Sequence, residues 1–326
     1  MKVMEKEITG IILAAGKGTR MEPFSSRYPK PILPICNKPL LQYQIEMMRA
    51  IGINNIIIVI GHLGYEIAQI IGNGNHLGVR IKYVEQKETL GIAHAVSKLE
   101  PYINSPIFLS LGDIFVVTED LEAMITEMVD NGASAVLAVK YEKNPEAIRR
   151  NFTVTLDEGN KVKRVIEKPR YITNSIKGCG LYLFDQHVFD AIRRTPRTAM
   201  RDEYEITDTI QILVDDGFPV FVSEVINWDI NITYPSDVLK CNLQQLKRLG
   251  REWISGDCVE IHPDAVIKNS VIGDHVAIHN PIKISNSVIF PRTVVTSVDD
   301  IDRFTITPEH QIDCRQFIQN GDNTDV

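Results

Sequence analysis

The chain has 326 residues, 44% of them hydrophobic and 24% charged, which is enough for one domain of about 250 residues and a smaller appendage. Its formal charge of −7 and pI near 5.7 exclude the broadly basic surface that non-specific nucleic-acid binding needs, so a polyanionic ligand must meet a local group of cations. No stretch reaches the roughly 18 consecutive apolar residues of a membrane span. Residues 1–7 also lack the apolar core of a signal peptide, so no membrane partner and a cytoplasmic address are expected. Cys36, Cys179, Cys241, Cys258 and Cys314 are scattered and never form a C-x-x-C pair. That pattern predicts reduced thiols rather than a disulfide framework.

From residue 9 to about 140, short β-branched runs alternate with amphipathic segments. The pattern predicts strands at 10–13, 56–60, 80–84, 107–110 and 135–139. Helices are expected at 40–50, 65–71, 92–99 and 121–130, with Gly52, Gly72 and Gly132 as stops. Such alternation specifies an α/β fold with a doubly wound, mostly parallel, Rossmann-like sheet. Ligands bind beyond the carboxyl ends of such strands, so the loops beginning at Ala14, Glu85 and Leu111 should share one crevice.

After Asn151 the pattern changes to strands at 152–156, 162–167 and 178–184 and helices at 188–193 and 203–214, an α+β lid. A helix at 236–249, stopped by Gly250, closes a domain of residues 1–250, with halves at about 1–140 and 141–250. Beyond Gly256, apolar residues recur every six positions, in a row at Val276, Ile282, Val288 and Val294 and another at Ile272, Ile278 and Ile284. A step of six fits a short left-handed β-helix-like segment, expected over 251–296 as about two coils. Two coils bury little alone, which points to packing on the main domain or on another subunit in a homo-oligomer. Residues 297–326 are expected to be an acidic tail without a period.

Directly after the first predicted strand comes L-A-A-G-K-G-T-R-M, followed by P-K-P-I-L-P-I. Gly16 and Gly18 let the main chain approach a polyphosphate, so that backbone N–H groups can line it as an anion nest. Lys17, Arg20, Arg27 and Lys30 add four cations to a chain that is negative in total. Arg20 can grip phosphate oxygens in a fork, and Lys30 acts as a point charge. The dinucleotide fingerprint is excluded because Met21 stands where its third glycine belongs, and the P-loop because Gly18 follows Lys17.

These motifs resemble the sugar nucleotidyltransferase family, most closely its glucose-1-phosphate thymidylyltransferase branch, from Ile8 to about Gly250. The resemblance implies an enzyme that joins a nucleoside triphosphate to a sugar 1-phosphate. It assigns Leu13, Ala14, Ala15, Gly16, Lys17, Gly18, Thr19 and Arg20 to the nucleotide. Arg20 would sit on the leaving pyrophosphate, and Lys30 near the reacting phosphates. Asp113 in L-S-L-G-D and Asp229 after Trp228 resemble the family's two aspartates for Mg²⁺. V-I-E-K-P resembles its sugar-phosphate motif, with Lys168 on the attacking phosphate and Glu167 on sugar hydroxyls. Thr153, Gly180 and Tyr182 fall at sugar-pocket positions. Gln86 in E-Q-K-E-T-L-G can donate to and accept from the O4 and N3–H edge of uracil or thymine, with Gly91 leaving room for the base. His94 reads as a packing or supporting histidine, since a sugar phosphate is already anionic.

The chain departs from the family at Ile114, where Asn is frequent, at Thr153, where Gly is usual, and in 231–235, where G-T-P is usual. Cys258, His262, His275 and His279 have a zinc-like spacing but fall inside the six-residue repeat, which turns them to different sides. Two other functions compete. A catalytically silent regulatory subunit is disfavoured because Arg20, Lys30, Asp113, Lys168 and Asp229 are all present. An acyltransferase built on the repeat is disfavoured because two coils offer too little surface.

Overall fold

The computed structural model describes residues 7–199 and 201–318. They form two compact units, one of residues up to Gly16 with Gln44–Asp229, the other of Lys17–Tyr43 with residues from Ile230 onward.

The first unit is built on seven strands: β1 (Thr9–Ala14), β2 (Asn55–Ile60), β3 (Arg80–Glu85), β4 (Ile107–Leu111), β5 (Ala135–Tyr141), β6 (Ile176–Phe184) and β7 (Val220–Glu224). They lie in the order β3-β2-β1-β4-β6-β5-β7. β1 pairs in parallel with β2 and β4, β2 with β3, and β5 with β7; β6 runs antiparallel to both β4 and β5. The runs Gly10–Ala14 and Ile56–Val59 are buried almost throughout, as expected where helices cover both faces of a parallel sheet. A hairpin of Phe152–Leu156 and Val162–Glu167 supplies the predicted α+β half. Its Phe152 ring stacks on Tyr182, which stacks on Phe184, and all three are in the core.

In the second unit, Trp253–Ser255, Ser270–Ile272, Val288–Ile289 and Phe304–Ile306 pair in parallel. Two further columns follow, Glu260–Ile261 with Ala277–Ile278 and Val294–Val295, and Val266–Lys268 with Lys283–Ser285 and Ile301–Asp302. This β-helix runs past the expected end at 296, and Gln311–Asp313 closes it as an antiparallel strand on Phe304–Ile306. The coil advances by 17 residues, as in the Asn269–Asn286 side-chain bond of 2.7 Å. A coil of 17 shortens one step of six to five. The inner row is therefore Ile272, Ile278, Ile284, then Ile289, Val295, Ile301 and Ile306. Val294, which the strict six-residue count places in the row of Val276, Ile282 and Val288, is 55% exposed.

Residues 17–43 pack on this β-helix and on the helix Pro235–Arg248. The fully buried Phe290 receives Phe24 at 5.6 Å and the edge of Tyr28 at 5.4 Å. Arg27 pairs with Glu309. The buried Asn242 accepts from Cys36 N (2.7 Å) and donates to Pro34 O (3.0 Å), while Asn37 Nδ2 donates to Ile272 O (2.8 Å). All five cysteines are unpaired. No described helix is long and apolar enough to cross a membrane.

Candidate functional site

The strand order reverses between β1 and β4, and in open α/β sheets such a switch point is where ligands bind. The exits of these strands press together. A Cβ on Gly61 would lie 2.7 Å from Ala15 O, and one on Gly112 would lie 2.5 Å from Leu13 O. Gly112 N donates to that same oxygen at 2.9 Å. Asp113 follows, half-buried. The buried Gln44 donates through Nε2 to Leu111 O and to Ile114 O, both at 2.7 Å, and so fixes the turn on either side of Asp113. Nothing in its sequence context marks Gln44 for this task.

Gly16 is exposed, and a Cβ there would meet nothing within 4 Å, so its main chain is open to a ligand. Within the second unit Gly18 takes the left-handed φ of 65° that suits glycine. The Lys30 side chain lies across it, 3.1 Å from where a Cβ would stand, so the turn and Lys30 form one piece. Lys17, Thr19 and Arg20 are exposed.

In the first unit Lys168 has a left-handed φ of 44°, its N donates to Asn151 O at 2.8 Å, and its side chain is 47% exposed. The Glu167 carboxylate accepts from Arg201 Nη1 (3.1 Å), which also donates to Glu205 (2.7 Å). Burial, reinforced by the negative charge of Glu167, raises the Glu205 and Asp208 carboxyls above their ordinary pKa.

Three of the sugar-pocket expectations meet the structure differently. Tyr182 is enclosed in the core stack, where burial pushes its phenol far up. Thr153 is 1% exposed and its hydroxyl is spent on Asn174 Oδ1 (2.8 Å) and Ile176 O (2.7 Å). The space at Gly180 is taken by Ile114, whose Cδ1 would lie 2.2 Å from a Cβ there. Each is packed by protein on the side described.

Gln86 is buried, and its Nε2 lies 3.3 Å from His94 Nδ1. Burial, helped by Lys98, lowers the pKa of His94, so the ring is neutral and Nδ1 can accept. With Nδ1 accepting, Gln86 Nε2 is the donor of that contact. Gly91 has φ 104°, but the room it leaves is filled by the main chain of Tyr204, whose O would be 2.5 Å from a Cβ. Tyr204 N donates to Leu90 O, and Ala93 N to Tyr204 O. Gly91 therefore docks Tyr204 beside the helix of His94.

Asp229 lies on the strand Trp228–Asn231, held by Asn227 N donating to Val117 O (2.9 Å) and by Trp228 edge-on to Phe115. Its carboxylate is fully buried. Lys177 Nζ lies 2.5 Å from one oxygen and Lys140 Nζ 3.1 Å from the other. Lys140 also reaches Glu142 at 3.0 Å. In the β-helix, the register that pairs Ile261 with Ile278 stacks His262 with His279, and Cys258 with His275 in a separate column. Among the described residues no three His, Cys, Asp or Glu side chains gather closely enough to hold a metal ion.

The family model for nucleotidyl transferases matches residues 9–229. The chain is 33% identical over 235 residues to a low-salt glycan biosynthesis nucleotidyltransferase of Haloferax volcanii, covering 72% of this chain and 64% of that protein. It is 30% identical over 227 residues to a UTP–glucose-1-phosphate uridylyltransferase of the same organism, covering 70% and 92%. The chain thus spans less than two thirds of the first relative's length. Its fold matches that of a UDP-glucose pyrophosphorylase solved with UDP-glucose, at a TM-score of 0.65, 21% identity, and coverage of 74% of this chain and 100% of that one. With the switch-point loops in place and the family match running from β1 to Asp229, the chain belongs to the nucleotidyl transferase family.

Proposed function

We propose that this chain transfers a nucleoside monophosphate from UTP or dTTP to a sugar 1-phosphate, giving a nucleoside diphosphate sugar and pyrophosphate. The observation that carries the reading is the switch point, where a glycine loop open to ligand leaves β1 and Asp113 leaves β4. The uridylyltransferase relative, named for glucose 1-phosphate, supports it.

In this reading the backbone N–H groups of the loop and the cations Lys17, Arg20 and Lys30 hold the triphosphate, with Arg20 on the departing pyrophosphate. Lys168 neutralises and aligns the attacking phosphate, and Glu167, held by Arg201, accepts from sugar hydroxyls. A sugar-phosphate oxygen bonds to the α-phosphorus in line with the bridging oxygen, whose bond breaks and whose electron pair leaves with pyrophosphate. No base is needed, and the neutral His94 serves to orient Gln86, whose free amide groups match a 4-oxo pyrimidine edge. Asp113 is a hard oxygen donor at an accessible strand end. That suits Mg²⁺, which takes one or two carboxylates together with phosphate oxygens. When bound, the ion would offset charge on the α-phosphate.

A panel crossing UTP, dTTP, GTP, CTP and ATP with several sugar 1-phosphates, read as pyrophosphate release, tests this. Activity is expected with UTP or dTTP. Higher activity with GTP than with both would overturn the base assignment, and no release with any pair would overturn the reaction.

A further inference from the structure

β5 and β6 run antiparallel with Lys140 directly opposite Lys177. Like charges facing each other across a strand pair repel, and here both sit in the protein: the Lys177 side chain is 6% exposed and that of Lys140 15%. The arrangement stands because Asp229 lies between them, 0% exposed, with one carboxylate oxygen for each ammonium. Glu142 supplies the second negative charge. Two cations and two anions balance in number, with Asp229 Oδ1 paired to Lys140 by charge at 3.1 Å but accepting no hydrogen bond among the described residues.

We infer that Asp229 is a positioning residue rather than a metal ligand: its carboxylate locks the Lys140–Lys177 pair and thereby sets the hairpin that carries Lys168. The path is continuous. Lys177 is followed by the irregularity between Gly178 and Tyr182 in the β5–β6 register. Gly178 is pressed by the Phe152 ring, 2.1 Å from where a Cβ would stand, and Ile176 O accepts from the Thr153 hydroxyl. Thr153 pairs with Ile166 and Phe152 with Glu167, and Asn151 O accepts from Lys168 N. A divalent ion on Asp229 would have to displace two ammonium groups and leave them facing each other, buried and without their shared anion. Removing one partner of a buried pair is costly for the same reason.

The part concerning Lys168 rests on the sugar-phosphate reading, whereas the metal and stability measurements do not depend on turnover. Asp229→Asn should lower the melting temperature by about 6 °C or more. Lys177→Met added to it should recover at least half of that loss, because the stranded charge is gone. Additive losses would overturn the inference. Mn²⁺ affinity of the protein–nucleotide complex, followed by the electron paramagnetic signal of free Mn²⁺, should stay within about twofold of the parent in Asp229→Asn. In Asp113→Asn it should weaken about tenfold or more. If Asp229→Asn does not fold, the double variant carries the metal measurement. A tenfold loss of Mn²⁺ affinity there, absent in Lys177→Met alone, would make Asp229 a ligand after all. In kinetics the double variant should raise KM for the sugar 1-phosphate at least threefold more than KM for the triphosphate, and the reverse order would contradict the path to Lys168. If the parent releases no pyrophosphate with any pair, the functional reading fails while the stability and metal results still decide the role of Asp229.

Discussion

The arm at residues 17–30 and the cluster around Asp229 both concentrate charge, and they do so in opposite ways. In the arm, Lys17 and Arg20 are exposed, and what is buried are the apolar anchors Met21 and Phe24 beneath them. Around Asp229 the charges themselves are buried and paired with one another. Exposed cations on a rigid seat are available to a ligand, whereas buried cations bonded to a carboxylate are part of the framework. Charged residues of one type are thus open to a ligand in one region and tied to buried partners in the other.

The largest effect that separates the two is expected from Arg20→Ala. Its side chain is on the surface, so stability should change by no more than about 0.5 kcal/mol. Losing a forked contact to the departing pyrophosphate should lower kcat/KM by about a hundredfold, equivalent to about 2.7 kcal/mol. Steady-state kinetics beside a thermal melt would check it, and a large fall in stability with little kinetic change would place Arg20 in the framework class.

A smaller effect is expected at the seat of the arm. Phe290→Ala removes the ring that receives Phe24 and Tyr28, at a cost of about 3–5 kcal/mol for a buried aromatic. KM for the triphosphate should rise about tenfold while KM for the sugar 1-phosphate holds, because only the arm is loosened. Phe290→Leu should recover most of the loss. Equal changes in both KM values would mean that the β-helix does not act through the arm.

Much of this was legible from residue order alone. The glycine loop, the strand alternation and the approximate six-residue step are local patterns, and each names its own structure. The place of Asp113 just past the exit of β4 was legible because it follows a predicted strand at a predictable distance. The surroundings of Asp229 were not legible, because its partners Lys140 and Lys177 lie 89 and 52 residues away and only the β5–β6 register brings them to it. Gln44 and Arg201 were invisible for the same reason. Tyr182, Thr153 and Gly180 occupy positions that a motif assigns to a pocket, but their surroundings are set by non-local packing from Phe152, Asn174 and Ile114. The β-helix was underestimated because a 17-residue coil breaks a strict period of six after Ile284.

Transfer of a nucleoside monophosphate is tested most directly by the fate of the α-phosphorus. The protein would be incubated with Mg²⁺, a sugar 1-phosphate and UTP or dTTP labelled at the α-phosphorus, and the products separated. Label is expected in a nucleoside diphosphate sugar, with unlabelled pyrophosphate in equal amount and no product without the sugar 1-phosphate. Label retained in a free nucleoside diphosphate, or turnover independent of the sugar 1-phosphate, would contradict that transfer.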